Sequence, residues 1–211
     1  MANHPGTVLS NKLLSHIDGP RVALTFDDGP DPYHTPRILD ILAEHGCPAT
    51  FFVLGTAARN WPGLVRRIVA EGHSLGSHCY SHRRAWFLAN STLRREVALS
   101  RQVIADIAGV APRWFRPPYG QRHAVMLDAA AGHGMMTVLW SRSVIDWGPL
   151  ATRRGIRRRL QGAAAGDIVL LHDGRRRHNH PERTAAVLPS VLPALVDRGL
   201  RFIGLDQWRP V

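Results

Sequence analysis

The chain reads as an α/β protein built on parallel strands, and three observations predict it. Short apolar runs alternate with amphipathic segments along the whole length, no internal repeat or low-complexity tract interrupts them, and seven strand signals interleave with six helix signals. Strands separated by helices pair in parallel, because a parallel pair needs a long crossover, usually a helix. Periodicity leaves two architectures open, a doubly wound sheet or a barrel. At 211 residues the chain suits one domain, large enough to bury well over half of its unfolded surface.

The elements follow in order. A strand is predicted over residues 21–26, where RVALTF runs into the turn signal DDGP. A helix is predicted over 35–44: Thr35 can cap it, Pro36 suits its first turn, Ile38, Leu39, Ile41 and Leu42 form one apolar face, and Gly46 stops it. The aromatic and β-branched run TFFVL gives a strand at 50–54, and Pro62 opens a helix over 62–71. Strands at 74–77, 113–116, 135–141, 168–171 and 201–205 then alternate with helices at 92–108, 124–131, 152–161 and 185–198. Residues 1–20 are assigned to an N-terminal extension and 21–211 to the domain. The first residues lack a basic start followed by an apolar core, and no run approaches the roughly 20 apolar residues that span a bilayer. A cytoplasmic chain without a transmembrane segment is the expectation.

Charge narrows the partners. There are 27 Lys and Arg against 16 Asp and Glu, a net +11, and Lys12 is the only lysine. Such a field attracts polyanions: nucleic acid, an anionic membrane, or an acidic or phosphorylated substrate. No recognition helix or base-stacking motif supports nucleic acid, so none is expected as a partner. Two cysteines, Cys47 and Cys79, make no disulfide framework and no metal knuckle.

In either architecture function gathers beyond the C-terminal ends of the strands. Capable side chains stand at five of those ends: Asp27 and Asp28, then His78 and His82 in HCYSH, Arg116 in RPPYG, Asp146 and Trp147 in VIDW, and His172 in LLH. Two imidazoles at i, i+4 with one carboxylate make a facial triad that leaves coordination positions open, and imidazole suits Zn, Co, Ni or Fe better than Mg or Ca. One aspartate then binds the cation and the other takes a proton from water. Arg116 can hold that base ionised, and His172 can protonate a leaving group. Metal, base and acid together describe hydrolysis of a carbonyl-type bond.

The ordered series TFDDGP, HxxxH, RPPYG, DW and LLHDG, spread from about residue 21 to 205, resembles the polysaccharide deacetylases, the NodB-homology domain of carbohydrate esterase family 4. The resemblance implies a distorted (β/α)7 barrel and a hydrolase that removes acetyl groups, foremost N-acetyl of N-acetylglucosamine-type units, from a saccharide. It implies Asp27 as general base, Asp28, His78 and His82 as ligands of a divalent metal (zinc foremost, with Co, Ni or Mn as alternatives), and Arg116 as the brace of the base. It further implies an oxyanion contact from the Tyr119 backbone N–H, a methyl pocket of Trp147 and Leu170, and His172 as the general acid. A same-fold hydrolase of a non-sugar amide or ester is the alternative, with a polyanion-binding protein a distant third. The sequence departs from the family pattern twice. Cys79 stands where Ser or Thr follows the first metal histidine, and Ser143 stands at the first acid of DxxDW, the carboxylate that tunes the acidic histidine in the family.

Two further features are read from position. RRGIRRR, residues 153–159, falls on an outer helix and is a solvated face. RRRHNH, residues 175–180, follows His172 and borders the mouth, so Arg175, Arg176 and Arg177 predict negative charge on the saccharide substrate, against the alternative of a plain solvent loop. Trp86 and Phe87 are either a sugar-stacking platform or local packing.

Overall fold

The computed structural model describes residues 20–208, and the expected extension before residue 20 lies outside the described residues. Strand β1 (Arg21–Asp27) forms the centre, buried from Val22 onward. It pairs in parallel with β2 (Thr50–Val53) on one side and with β7 (Ile168–His172) on the other. Beyond β2 lie β3 (Ser74–Ser77), β4 (Trp114–Phe115) and β5 (Met136–Thr137), and beyond β7 lies β6 (Arg142–Ser143). A short β8 (Arg201–Phe202) pairs with the first two residues of β1.

Both faces of this sheet are covered, which is why its strands read as nearly continuous apolar runs. Val22, Leu24 and Phe26 join Phe51, Val53, Val169 and Leu171 in one core with Ile38 and Leu42 of α1 (His34–Glu44) and Leu188 and Leu192 of α7 (Pro181–Asp197). The alternate residues Ala23, Phe52 and Ile168 meet Trp114, Val138 and Trp208 inside the curl of the sheet. Between α1 and α7 run α2 (Gly55–Asn60), α3 (Pro62–Ala70), α4 (Asn90–Ala108), α5 (Ala124–Gly132) and α6 (Arg153–Gln161). The expected barrel is therefore found in an open, curled form: among the described residues no ladder joins the two edge strands, β5 and β6.

Three local expectations need correction. The run at 135–141 is strand only at β5, which pairs with β4 on one edge; the chain then crosses the opening of the barrel, and β6, just beyond the run, pairs with β7 on the other. The helix expected from Ala185 starts at Pro181, whose missing N–H has no helical partner to lose in the first turn. Thr35 does not cap α1. Its hydroxyl accepts the Asp31 N–H and donates to Asp173 Oδ2 at 2.6 Å, tying the start of the helix to the end of β7.

Candidate active site

Parallel strands deliver their C-terminal ends to one edge, and the register decides which residues meet there. Asp27 is the Cα partner of His172, while His78 and Arg116 follow directly on the neighbouring pair Ser77 and Phe115. Among the described residues, five that are not glycine adopt positive φ: Asp28, Cys79, His82, Tyr119 and Ile145. Each is a candidate site residue or adjoins one. Backbone strain of this kind collects where side chains must be aimed against local preference.

Asp28 turns at φ 75°, and its Oδ1 lies 3.1 Å from His82 Nε2 and 3.8 Å from His78 Nε2. Its Oδ2 accepts the Asn179 amide at 2.7 Å, whereas the buried Oδ1 has no hydrogen-bond partner. His78 directs Nδ1 at the Arg116 carbonyl, 2.7 Å away, which fixes the tautomer that leaves Nε2 free to coordinate. One donor atom from each of Asp28, His78 and His82 lies within 4.8 Å of the others. The HxxxH segment is not helical: it is a loop that turns twice through positive φ, and it still brings the two rings to 5.0 Å.

Burial governs the charges here. It lowers His78 to about 3 and His82 to about 2, so both imidazoles stay neutral with lone pairs available. Burial, with the nearby Asp27 carboxylate adding to it, raises Asp28 to about 6. A buried carboxylate oxygen without a partner, beside two neutral imidazoles, is a donor set that fits a divalent cation such as zinc. Cys79 does not belong to that set. It packs against Leu93, Val97 and Phe115, and burial, then Glu96, keeps the thiol protonated. Its backbone carbonyl accepts the Gly55 N–H at 3.0 Å.

Arg116 is fully buried. Its guanidinium donates to Asp27 Oδ1 and Thr25 Oγ1, both at 2.8 Å, and to the carbonyls of Val138 and Leu139, while lying 4.0 Å from the centre of the Phe52 ring. A planar fork makes these contacts together, and a lysine ammonium does not. Burial raises Asp27 and the Arg116 charge pulls it down; the upward effect is the larger.

His172 faces them with Nδ1 2.7 Å from Asp146 Oδ1, and its backbone N–H reaches Asp146 Oδ2 at 2.8 Å. The carboxylate partner of His172 is thus Asp146, and not position 143, to which the resemblance pointed. Ser143 instead accepts the Ile145 N–H. Burial lowers His172, but the charge and hydrogen bond of Asp146, with Asp28 and Asp27 behind it, raise the net value to about 9. Trp147 stands edge-on to His172 at 5.4 Å and, with Leu170, Tyr119 and Trp140, walls a cavity of about 730 Å³ that also opens onto Asp27, Asp28, His78 and His82. Every predicted site residue therefore lines this cavity except Arg116, which supports Asp27 from beneath.

Sequence reasoning missed four contributors: Asn179, Asp173, Trp140 and Arg84. Asn179 sat inside a run read only for its charge. Asp173 is buried, accepts from Thr35, and is raised to about 7 by that burial. Trp86 and Phe87, on an exposed 3-10 turn, do not line the cavity; Trp86 leans on His123. Gly174 packs so tightly under the β1–α1 loop that a Cβ there would come 2.2 Å from the Asp28 carbonyl. Gly174→Ala is accordingly expected to displace Asp28 and weaken zinc binding by about 10–100-fold, the range for residues that orient ligands. A zinc titration of the variant by calorimetry checks this, and unchanged affinity would refute it.

Comparison with known proteins gives the same placement. The family model for polysaccharide deacetylase matches residues 16–138. A chitooligosaccharide deacetylase of Sinorhizobium fredii is 37% identical over 201 residues, 92% of this chain and 94% of that protein. A peptidoglycan-N-acetylglucosamine deacetylase of Bacillus cereus is 36% identical over 186 residues, 88% of this chain and 67% of that protein. A crystal structure of the Bc1960 peptidoglycan N-acetylglucosamine deacetylase superposes with a TM-score of 0.83 at 35% identity, covering 90% of this chain and 87% of that one. The chain belongs to the polysaccharide deacetylase family.

Proposed function

We propose that this protein is a metal-dependent deacetylase that hydrolyses the N-acetyl group of N-acetylglucosamine-type units in a saccharide. One observation carries the reading: a donor set of two neutral imidazoles and the Asp28 carboxylate, an arginine-braced carboxylate and a carboxylate-paired histidine converge on a single cavity. Asp28, His78 and His82 hold the divalent ion, with zinc the first choice. When bound, the ion supplies Lewis acidity toward the acetyl carbonyl and the attacking water.

The side chains do the rest. Asp27 removes a proton from the water as the water oxygen bonds to the acetyl carbon, and Arg116 orients that carboxylate and favours its ionised form against the effect of burial. The Tyr119 backbone N–H supports the negative charge that develops on the carbonyl oxygen. Trp147 and Leu170 enclose the methyl group. His172, protonated through its Asp146 partner, gives its proton to the sugar nitrogen as the C–N bond breaks, leaving acetate and an amine.

The test is mass spectrometry of N-acetylglucosamine oligomers incubated with the protein after stripping by a chelator and after zinc is restored. The reading requires products lacking acetyl groups only in the zinc-restored sample. Equal conversion with and without metal, or no conversion of any oligomer by protein shown to bind zinc, counts against it.

A further inference from the structure

We infer that the rim of this cavity is an anion subsite, in which Arg84 faces Arg176 and Arg177 across the bound saccharide and holds a phosphate or carboxylate group that the saccharide carries. The inference rests on the deacetylase reading of the same cavity and names the class of substrate it takes.

The structure redraws the arginine set expected from the sequence. Arg175 borders a smaller neighbouring cavity of about 220 Å³, Arg176 lines both cavities, and Arg177 lines the larger one with the metal-site residues. Arg84 is the added member. It follows β3, whereas Arg176 and Arg177 follow β7, and these strands flank the β1–β2 pair from opposite sides. The Arg84 guanidinium carbon lies 4.6 Å from the centre of the Tyr119 ring, and that ring stands edge-on to His82 at 4.5 Å. A cation–π contact thus fixes a charge at a set distance from the metal site.

The nearby negative groups are already engaged. Asp27 pairs with Arg116, Asp146 with His172, and Asp28 faces two imidazoles and Asn179. Asp31, in the smaller cavity, accepts the backbone N–H groups of Tyr33 and His34, and Glu182 is taken by His180 and Arg183. Among the described residues none of Arg84, Arg175, Arg176 and Arg177 makes an ion pair. The Arg176 charge is close enough to bear on Asp28, His78 and His82. The carboxylates that line this cavity, Asp27 and Asp28, are already engaged, so the guanidinium groups around it repel one another until an anion completes the arrangement, and the planar fork suits phosphate or carboxylate. A neutral N-acetylglucosamine oligomer brings no such anion; a phosphorylated or carboxylated saccharide does.

The test is equilibrium binding to the zinc-loaded Asp27→Asn protein, so that no ligand is consumed. Three oligomers of one length are compared: neutral, phosphate-bearing and carboxylate-bearing. At low salt at least one charged oligomer is expected to bind about tenfold more tightly than the neutral one, and the better of the two identifies the source of the anion. Arg84→Ala and the double variant Arg176→Ala/Arg177→Ala should each remove most of that preference while changing neutral affinity by less than about threefold, and Arg84→Lys should keep part of it. These side chains are exposed, so the variants are expected to fold. Equal affinity for all three oligomers overturns the inference, as does an equal loss on neutral and charged ligands. Displacement of the charged oligomer by an equally charged DNA strand also overturns it, since that marks general attraction to a +11 chain. Because binding is read here and turnover under Proposed function, an inactive protein that still prefers the charged oligomer refutes only the latter.

Discussion

Replacing Asp27 with asparagine is expected to lower kcat by about a thousandfold while zinc affinity stays within about threefold of the parent; the equivalent change at Asp28 reverses the pattern, with zinc binding lost first. Both neighbouring carboxylates are buried and raised by that burial, and their contacts set them apart. Asp27 gives Oδ1 to the Arg116 guanidinium and keeps Oδ2 3.7 Å from His78 Nε2, so asparagine can retain the arginine contact through its carbonyl. What it loses is the ability to take a proton, a contribution of about 10²–10⁴ in rate. Asp28, whose Oδ1 faces both histidines without a hydrogen bond, supplies charge and a lone pair to the cation instead. Turnover of an N-acetylglucosamine oligomer and a zinc titration, run on both variants, separate the roles. Activity of Asp27→Asn within tenfold of the parent would remove Asp27 as the base, and unchanged zinc affinity in Asp28→Asn would remove Asp28 as a ligand.

The sequence made the strand ends legible because parallel strands buried on both faces are apolar runs, and polar residues stand out where such runs stop. That is why Asp27, His78, Arg116 and His172 are found at their places without coordinates. Loops carry no comparable period. Asn179 reaches Asp28 across 151 positions of chain, and Arg84 reaches Tyr119 only because two loops from different strands lean together. The same limit explains why the run at 135–141 yields only β5: its remainder crosses between the two edges of an open barrel, and pairing resumes with β6 after the run ends. It explains Thr35 as well, whose hydroxyl serves a residue 138 positions away instead of its own helix. The exchange of partners at His172 is of another kind. The family pattern points to position 143 and the fold uses Asp146, which the left-handed turn at Ile145 precedes. Spacing alone does not say which of two acids in one loop faces the histidine.

That exchange sets up the second large effect. In Asp146→Asn, kcat at mildly alkaline pH is expected to fall about a hundredfold, and the alkaline limb of the pH–rate profile should move from near 9 toward or below the ordinary histidine value of 6.5. Burial by itself lowers His172; the Asp146 charge and hydrogen bond, then Asp28 and Asp27, outweigh it. A bound cation offsets the two latter carboxylates, which leaves Asp146 as the main support of the protonated imidazole. An acid must carry its proton, so lowering that affinity removes the active form from the alkaline side first. Stability follows the same sign. A histidine raised in the folded state contributes stability that is full below its unfolded value of 6.5 and is lost as pH climbs through about 9. The parent should therefore lose Tm across that interval by more than the variant does. Thr184, which donates to Asp146 Oδ2 at 2.7 Å, can donate equally to an asparagine carbonyl, so the change tests charge with little disturbance of packing. Ser143 supplies the control: with its hydroxyl engaged by the Ile145 N–H, Ser143→Ala should leave the alkaline limb in place. A limb that moves with Ser143 and stays fixed with Asp146 would reverse the assignment.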